Sequence, residues 1–131
     1  MAIKGEGVTI LIVDDNVDFH TIATALFRRL GYSVKSLFVG DTLLVLSMAA
    51  SCDIVLVDVD LPGDSGVDIC KSIKADPRTA GIPVILISGN ADIEILCPLS
   101  KSDACLLKPF SSTDIAELVK KLLGKAIETE H

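Results

Sequence analysis

A chain of 131 residues, half of them hydrophobic and 23% charged, has the material for one well-packed domain and no room for a second. With 4% aromatic residues the core must be aliphatic, and no apolar run approaches the roughly 18 residues a membrane span requires. A net charge of −6 excludes a nucleic-acid backbone as an expected partner, because that polyanion rewards basic surface, and leaves a protein or a metal ion.

Thr9 to Val13 is an uninterrupted β-branched and aliphatic run that ends in Asp14 and Asp15. Such a run reads as a strand buried on both faces, as in parallel sheets. From Val17 to Leu30, Phe19, Ile22, Ala23, Leu26, Phe27 and Leu30 recur at helical spacing, with Asn16 as N-cap and Gly31 as stop. His20 is assigned to an exposed flank of that helix. Tyr32 to Phe38 reads as a second strand, Gly40 and Asp41 open a second helix to about Ala50, and Ile54 to Val57 is a third buried strand closed by Asp58.

The acidic turn Val59 to Gly66 follows, then a short third helix stopped at Asp76-Pro77, where the residue before proline avoids helical backbone. Val84 to Ile87 is a fourth buried strand that runs into Ser88-Gly89-Asn90. Ala91 to Leu96 is expected to form one or two helical turns that Pro98 interrupts. Ala104 to Leu107 is a fifth strand ended by Lys108-Pro109-Phe110. Ser111 to Asp114 has the form of a capping box, and Ile115, Leu118, Val119 and Leu122 give the last helix its apolar face. Strands alternating with helices predict a doubly wound α/β sheet with helices on both faces. Met1 to Gly7 lacks the apolar segment of a secretory signal, so a cytoplasmic location is expected. Cys52, Cys70, Cys97 and Cys105 make no CxxC or zinc-like spacing and are expected as small buried hydrophobes in a reducing compartment.

The strand ends present Asp14 and Asp15, Asp58, Ser88 and Lys108. Carboxylates that converge at one sheet edge stay ionised together only if a cation joins them, and a hard, oxygen-seeking ion such as Mg²⁺ fits. With a lysine and a hydroxyl beside it, Asp58 could act as nucleophile in phosphoryl transfer, a reaction that asks mainly for positioning and charge neutralisation.

Asp14-Asp15, Asp58 with Leu61-Pro62 and Gly66, Ser88, and Lys108-Pro109-Phe110, in that order over roughly Val8 to Leu123, closely resemble the receiver domain of two-component response regulators. The resemblance implies a three-layer, flavodoxin-like fold of strand order 2-1-3-4-5 in one receiver domain over residues 1–131, with a core of about 8–123 and no output domain. It implies that Asp58 accepts a phosphoryl group from a phosphohistidine on a histidine kinase or phosphotransfer protein. Asp14, Asp15 and Asp58 would hold Mg²⁺ with a backbone carbonyl of Asp60, while Lys108 and Ser88 would contact the phosphoryl oxygens. Hydrolysis from Asp58 would be the chain's only other chemistry, so it is not expected to be an enzyme with a separate substrate. The cis Lys108-Pro109 bond of the family is expected to aim the lysine inward. A downstream protein of unspecified identity would read the surface, and a homodimer through the fourth helix, fifth strand and fifth helix is compatible with the family.

Cys105 stands where the family usually places an aromatic residue that moves with the hydroxyl, and Pro98 disturbs the fourth helix. Both departures fall on the surface that would read the signal. Two rivals follow from the same residues. Asp58-Val59-Asp60 is similar to the nucleophile and acid pair of haloacid-dehalogenase-type phosphatases, although the acids after Lys108 are poorly placed for that family's metal. The altered fourth helix also allows a binding module that works unphosphorylated.

Overall fold

The computed structural model describes residues 7–130, with side chains to residue 124. The elements in chain order are β1 (Thr9–Val13), α1 (Val17–Arg29), β2 (Ser33–Leu37), α2 (Thr42–Ala49), β3 (Ile54–Asp58), α3 (Gly66–Ala75), β4 (Val84–Ser88), α4 (Ile93–Ser100), β5 (Ala104–Leu107) and α5 (Ser112–Glu130). The strands form one parallel five-stranded sheet in the order β2-β1-β3-β4-β5, the doubly wound, flavodoxin-like order expected. Met1 to Glu6, whose lack of an apolar run bears on the expected location, lie outside the described residues.

Every residue of β3 and β4 is buried, which explains their unbroken apolar sequences: both faces of each strand meet helices. Ile10, Ile12, Ile54, Leu56, Ile85 and Ile87 point to one face and pack with α1 and α5. Leu11, Val13, Val55, Val57, Val84 and Leu86 point to the other and pack with α2 and α3. The alternation of a strand's side chains thus divides the core into two layers on either side of the sheet.

The helix starts follow their sequence signals. Asn16, Asp41 and Ser65 cap α1, α2 and α3 by accepting the backbone N–H of Phe19, Leu44 and Asp68. Ser111 and Asp114 exchange hydrogen bonds in the capping box that opens α5. Gly31 has φ +93 and lets the chain turn out of α1 into β2.

Three expectations change. Pro98 does not interrupt α4, which runs from Ile93 to Ser100 with the proline inside it. Pro98 lies near the carboxyl end of a short helix, so few backbone bonds depend on its missing N–H, and the last turn is closed locally by Ser100 Oγ donating to the Cys97 carbonyl at 2.7 Å. His20 is not exposed but 4% accessible, in a buried stripe with Ala23 and Phe27, while Ile22 is 64% exposed. The stripe has the i, i+3, i+7 spacing of a helix face, and His20 lies on it because its ring nitrogen has a backbone carbonyl to meet. The cysteines also divide: Cys52 and Cys70 are free and buried as expected, whereas Cys97 on α4 and Cys105 on β5 form a disulfide, their Cα atoms 6.0 Å apart. The two sulfurs meet where α4 packs against β5.

Candidate phosphoacceptor site

Sheet register assembles the site. Val13 of β1 pairs with Val57 of β3, so the residues that follow them, Asp14 and Asp58, emerge level with each other on neighbouring strands. Ser88, the last residue of β4, pairs with Leu107 of β5, and Lys108 follows on the same edge. The main chain is knitted across this edge: the Val59 N–H donates to the Ile87 carbonyl at 2.8 Å, and the Lys108 N–H to the Ser88 carbonyl at 2.8 Å. Four separate segments of sequence are therefore fixed by backbone before any side chain interacts.

Asp14, Asp15 and Asp58 each offer a carboxylate oxygen, and these atoms lie within 4.8 Å of one another. Asp14 and Asp58 are 1% and 6% exposed, and Asp15 is exposed. Lys108 Nζ donates to Asp14 Oδ2 at 3.0 Å and lies 3.4 Å from Asp58 Oδ1, so one ammonium bridges the two buried acids. The other oxygen of Asp14 accepts the Asn16 N–H at 2.8 Å, and Asp58 Oδ2 accepts the Asp60 N–H at 3.1 Å. Asp60 itself is exposed, and its carboxylate is outside the cluster. The Ser88 hydroxyl, fully buried at the end of β4, accepts the Asn90 N–H at 3.0 Å. The Lys108-Pro109 bond is cis.

The charge balance is uneven. Burial, followed by the Asp14 carboxylate, pushes the Asp58 carboxyl up to about 6, although Lys108 and the Asp60 N–H pull it back. Burial works against the Lys108 ammonium as well, but hydrogen bonds and charge from Asp14 and Asp58 outweigh it, and the lysine is held above its usual range. One cation thus serves two buried anions with a third acid at the rim. The donor set is all oxygen, crowded and short of positive charge, which suits a hard divalent ion.

Two groups escaped sequence reading. His20 Nε2 is 2.6 Å from the backbone carbonyl of Asp14, and its ring lies against Phe38, tilted by 41° with centroids 4.2 Å apart, so it braces the residue that carries the first acid. Its position three before Ala23 and seven before Phe27 was the available signal. Phe19 lies under the lysine, with Nζ 5.1 Å from the ring centroid, and meets Phe110 edge-on at 5.9 Å. Phe19 thus lies beside the ammonium that bridges the two acids.

The response regulator receiver domain family matches residues 10–120. The chain belongs to that family. The chemotaxis protein CheY-3 of Vibrio cholerae is 30% identical over 127 residues, covering 95% of this chain and 98% of its own. The DNA-binding response regulator MtrA of Mycobacterium tuberculosis is 28% identical over 118 residues, covering 88% of this chain and 50% of its own. The chain spans about half the length of such relatives. Among solved structures, a putative response regulator from Chloroflexus aurantiacus superposes with a TM-score of 0.82 at 28% identity, over 89% of this chain and 98% of that one. The receiver domain of the sensor histidine kinase PA1611 from Pseudomonas aeruginosa does so with a TM-score of 0.80 at 26% identity, over 90% and 98%, and that structure carries a magnesium ion in its active-site cleft.

This receiver is accordingly a phosphoacceptor signalling domain of two-component systems. Neither the phosphatase nor the phosphorylation-independent reading is favoured. No helix among the described residues is long and apolar enough to cross a membrane.

Proposed function

We propose that Asp58 is the phosphoacceptor of this receiver, loaded from a phosphohistidine on a histidine kinase or a histidine phosphotransfer protein. The observation that carries the reading is Lys108 Nζ held between Asp14 and Asp58, at 3.0 and 3.4 Å, in the only cluster of metal-compatible acids among the described residues. The family's match over residues 10–120 supports one receiver domain. A cytoplasmic setting accords with a kinase as donor.

In this reading a carboxylate oxygen of Asp58 attacks the phosphorus in line with the departing imidazole. The new O–P bond forms as the P–N bond breaks, and the imidazole takes up a proton as it leaves. Lys108, already charged and beside Phe19, turns from the carboxylates toward a phosphoryl oxygen. The Ser88 hydroxyl gives up its role as acceptor from Asn90 and donates to another. Asp14, Asp15, Asp58 and the backbone carbonyl of Asp60 would hold Mg²⁺, which neutralises phosphoryl charge when bound. The product adds about −1.5 to −2 charges at neutral pH to a site that already has surplus anion, and the rearranged Lys108 and Ser88 pass that change to β4 and β5. The target would be another protein that reads this surface, and a homodimer through α4, β5 and α5 is one form that reading could take. The acidic chain is unsuited to bind nucleic acid directly.

The test is incubation of the protein with Mg²⁺ and a small phosphodonor such as acetyl phosphate or phosphoramidate, followed by intact-mass measurement. A gain of one phosphoryl group, absent in Asp58→Ala and without Mg²⁺, is expected. An unchanged mass for the wild type would overturn the assignment.

A further inference from the structure

Among the described residues, one pair of reactive side chains lies outside the acceptor site and takes no part in its chemistry. Cys97 of α4 and Cys105 of β5 are bonded to each other, eight residues apart in sequence. Both are half-buried, whereas the free Cys52 and Cys70 are buried. A cavity of about 600 Å³ opens between α4 and β5, lined by Ala91, Glu94, Pro98 and Leu107 and by the two sulfurs' own residues. A small thiol can therefore approach the bridge from solvent without unfolding the domain. Ser102 Oγ lies 3.2 Å from Cys105 Sγ and 3.6 Å from Cys97 Sγ. A disulfide sulfur has no proton, so the serine is the donor, and it is within reach of whichever sulfur leaves as thiolate.

The bridge also sits on the path away from the acceptor. β5 carries Cys105 opposite Leu86 of β4 and is followed by Lys108, which touches Asp14 and Asp58. α4 follows directly from Ser88-Gly89-Asn90, where the buried hydroxyl lies. The disulfide thus ties the helix after one site residue to the strand before another. In the cytoplasm of most organisms a persistent structural disulfide is unusual, and those found there are mostly transient or redox-sensing.

We propose that Cys97–Cys105 is a thiol–disulfide exchange site for low-molecular-weight thiols of the glutathione class, and that its redox state sets the freedom of α4. Resting on Asp58 as the acceptor, the consequence is that only the reduced protein lets a phosphoryl group on Asp58 change α4. A thiolate attacks one sulfur of the bridge, forming a mixed disulfide and releasing the other cysteine as a thiolate beside Ser102. A second thiol then attacks the mixed disulfide. The net reaction converts the protein disulfide and two thiols into two protein thiols and one small disulfide, with the two electrons coming from the thiols, and the reverse reaction uses the small disulfide as oxidant.

The experiment uses the whole chain under native conditions, with and without prior treatment with reduced glutathione. Alkylation and peptide mass mapping should label Cys97 and Cys105 after treatment and neither before, with Cys52 and Cys70 protected in both. Burial pushes the Cys70 thiol up to about 11, in keeping with that protection. Amide hydrogen exchange over Ile93–Ser100 should be severalfold faster in the reduced protein, and acetyl phosphate with Mg²⁺ should alter it severalfold only in that state. Cys97→Ser, and separately Cys105→Ser, should behave as the reduced protein without any thiol. Failure of glutathione to open the bridge in the native protein, or α4 exchange equal in both redox states, overturns the proposal. If Asp58 gains no phosphoryl group in either state, the acceptor reading fails instead, and alkylation and α4 exchange still decide the redox site.

Discussion

At the carboxyl edge of the sheet, groups are held in place by strand register and charge; on the α4–β5 face, further back along the same β5 strand, they are held by a covalent bond. The edge is built from the ends of four paired strands, β3 and β4 buried throughout, so Asp14, Asp58, Ser88 and Lys108 are placed by sheet register. The face is built from an eight-residue helix with a proline inside it and a strand of partly exposed residues. Where backbone pairing is dense, chemistry can rest on weak, reversible contacts that a phosphoryl group is able to rearrange. On the face, a disulfide joins the short helix to the strand, and its removal is expected to change that region more than the site.

The strongest blow to the edge should come from a backbone position. A Cβ on Gly66 would run into the carbonyl oxygen of Asp58 and the Cα of Val59. Both are main-chain atoms at Asp58 and the residue after it, and cannot step aside as a side chain could. Gly66→Ala should cost about 3 kcal/mol or more in denaturant unfolding, and it should slow loading of Asp58. If stability is within about 0.5 kcal/mol of wild type, the loop is looser than its packing implies.

Asp58→Asn should have the opposite sign. The Asp58 carboxyl is pushed up to about 6 from an ordinary 3.8, so the folded protein binds its proton more tightly than the unfolded chain does. The cost of ionising it in the fold is therefore absent below pH 3.8, grows between pH 3.8 and about 6, and is fully present above that. At pH 7 without Mg²⁺ the asparagine variant should be the more stable by about 1–3 kcal/mol, and the gap should close as pH falls through that window. Mg²⁺ should raise the melting temperature of wild type more than that of the variant. A gap that widens toward low pH would reverse the sign and remove the electrostatic account.

The same contrast explains what could be read from the chain. Unbroken apolar runs ending in Asp14, Asp58 and Ser88 made the strands and the site visible, because a buried strand leaves a one-dimensional trace and its end fixes an edge position. Lys108 was visible through Pro109 and Phe110. His20 was not, because its Nε2 meets the Asp14 carbonyl, a main-chain partner that no residue pattern announces, while its Nδ1 is buried without a partner. The disulfide was hidden as well, because the cysteine spacing matches no pairing motif and a reducing compartment was expected; Cys97 and Cys105 meet only where α4 packs on β5.

Loss of the bridge should be felt on the face and not at the edge. Closing so short a loop supports about 2 kcal/mol of stabilisation through the unfolded chain. Cys97→Ser should therefore lower unfolding stability by about that amount and leave the rate of Asp58 loading within about twofold of wild type, a difference of roughly 0.4 kcal/mol in barrier. A large fall in loading would mean that the face and the edge are one mechanical unit.

The smallest effect should come from Asp60→Asn. Asp60 is exposed two residues past the acceptor, and its backbone N–H reaches Asp58 Oδ2 while its side chain stays out of the acid cluster. Fold and loading should be untouched. Two residues from Asp58 and open to solvent, its negative charge could repel or orient a water attacking a phosphoryl group held there. Replacing charge by an amide of the same shape keeps the backbone contact and changes only that influence, so the lifetime of the aspartyl phosphate should shift while loading does not. Decay followed by intact mass after removal of the phosphodonor measures it directly. An unchanged decay would confine control of hydrolysis to half-buried Lys108 and buried Ser88, and would make the rim of the site a bystander.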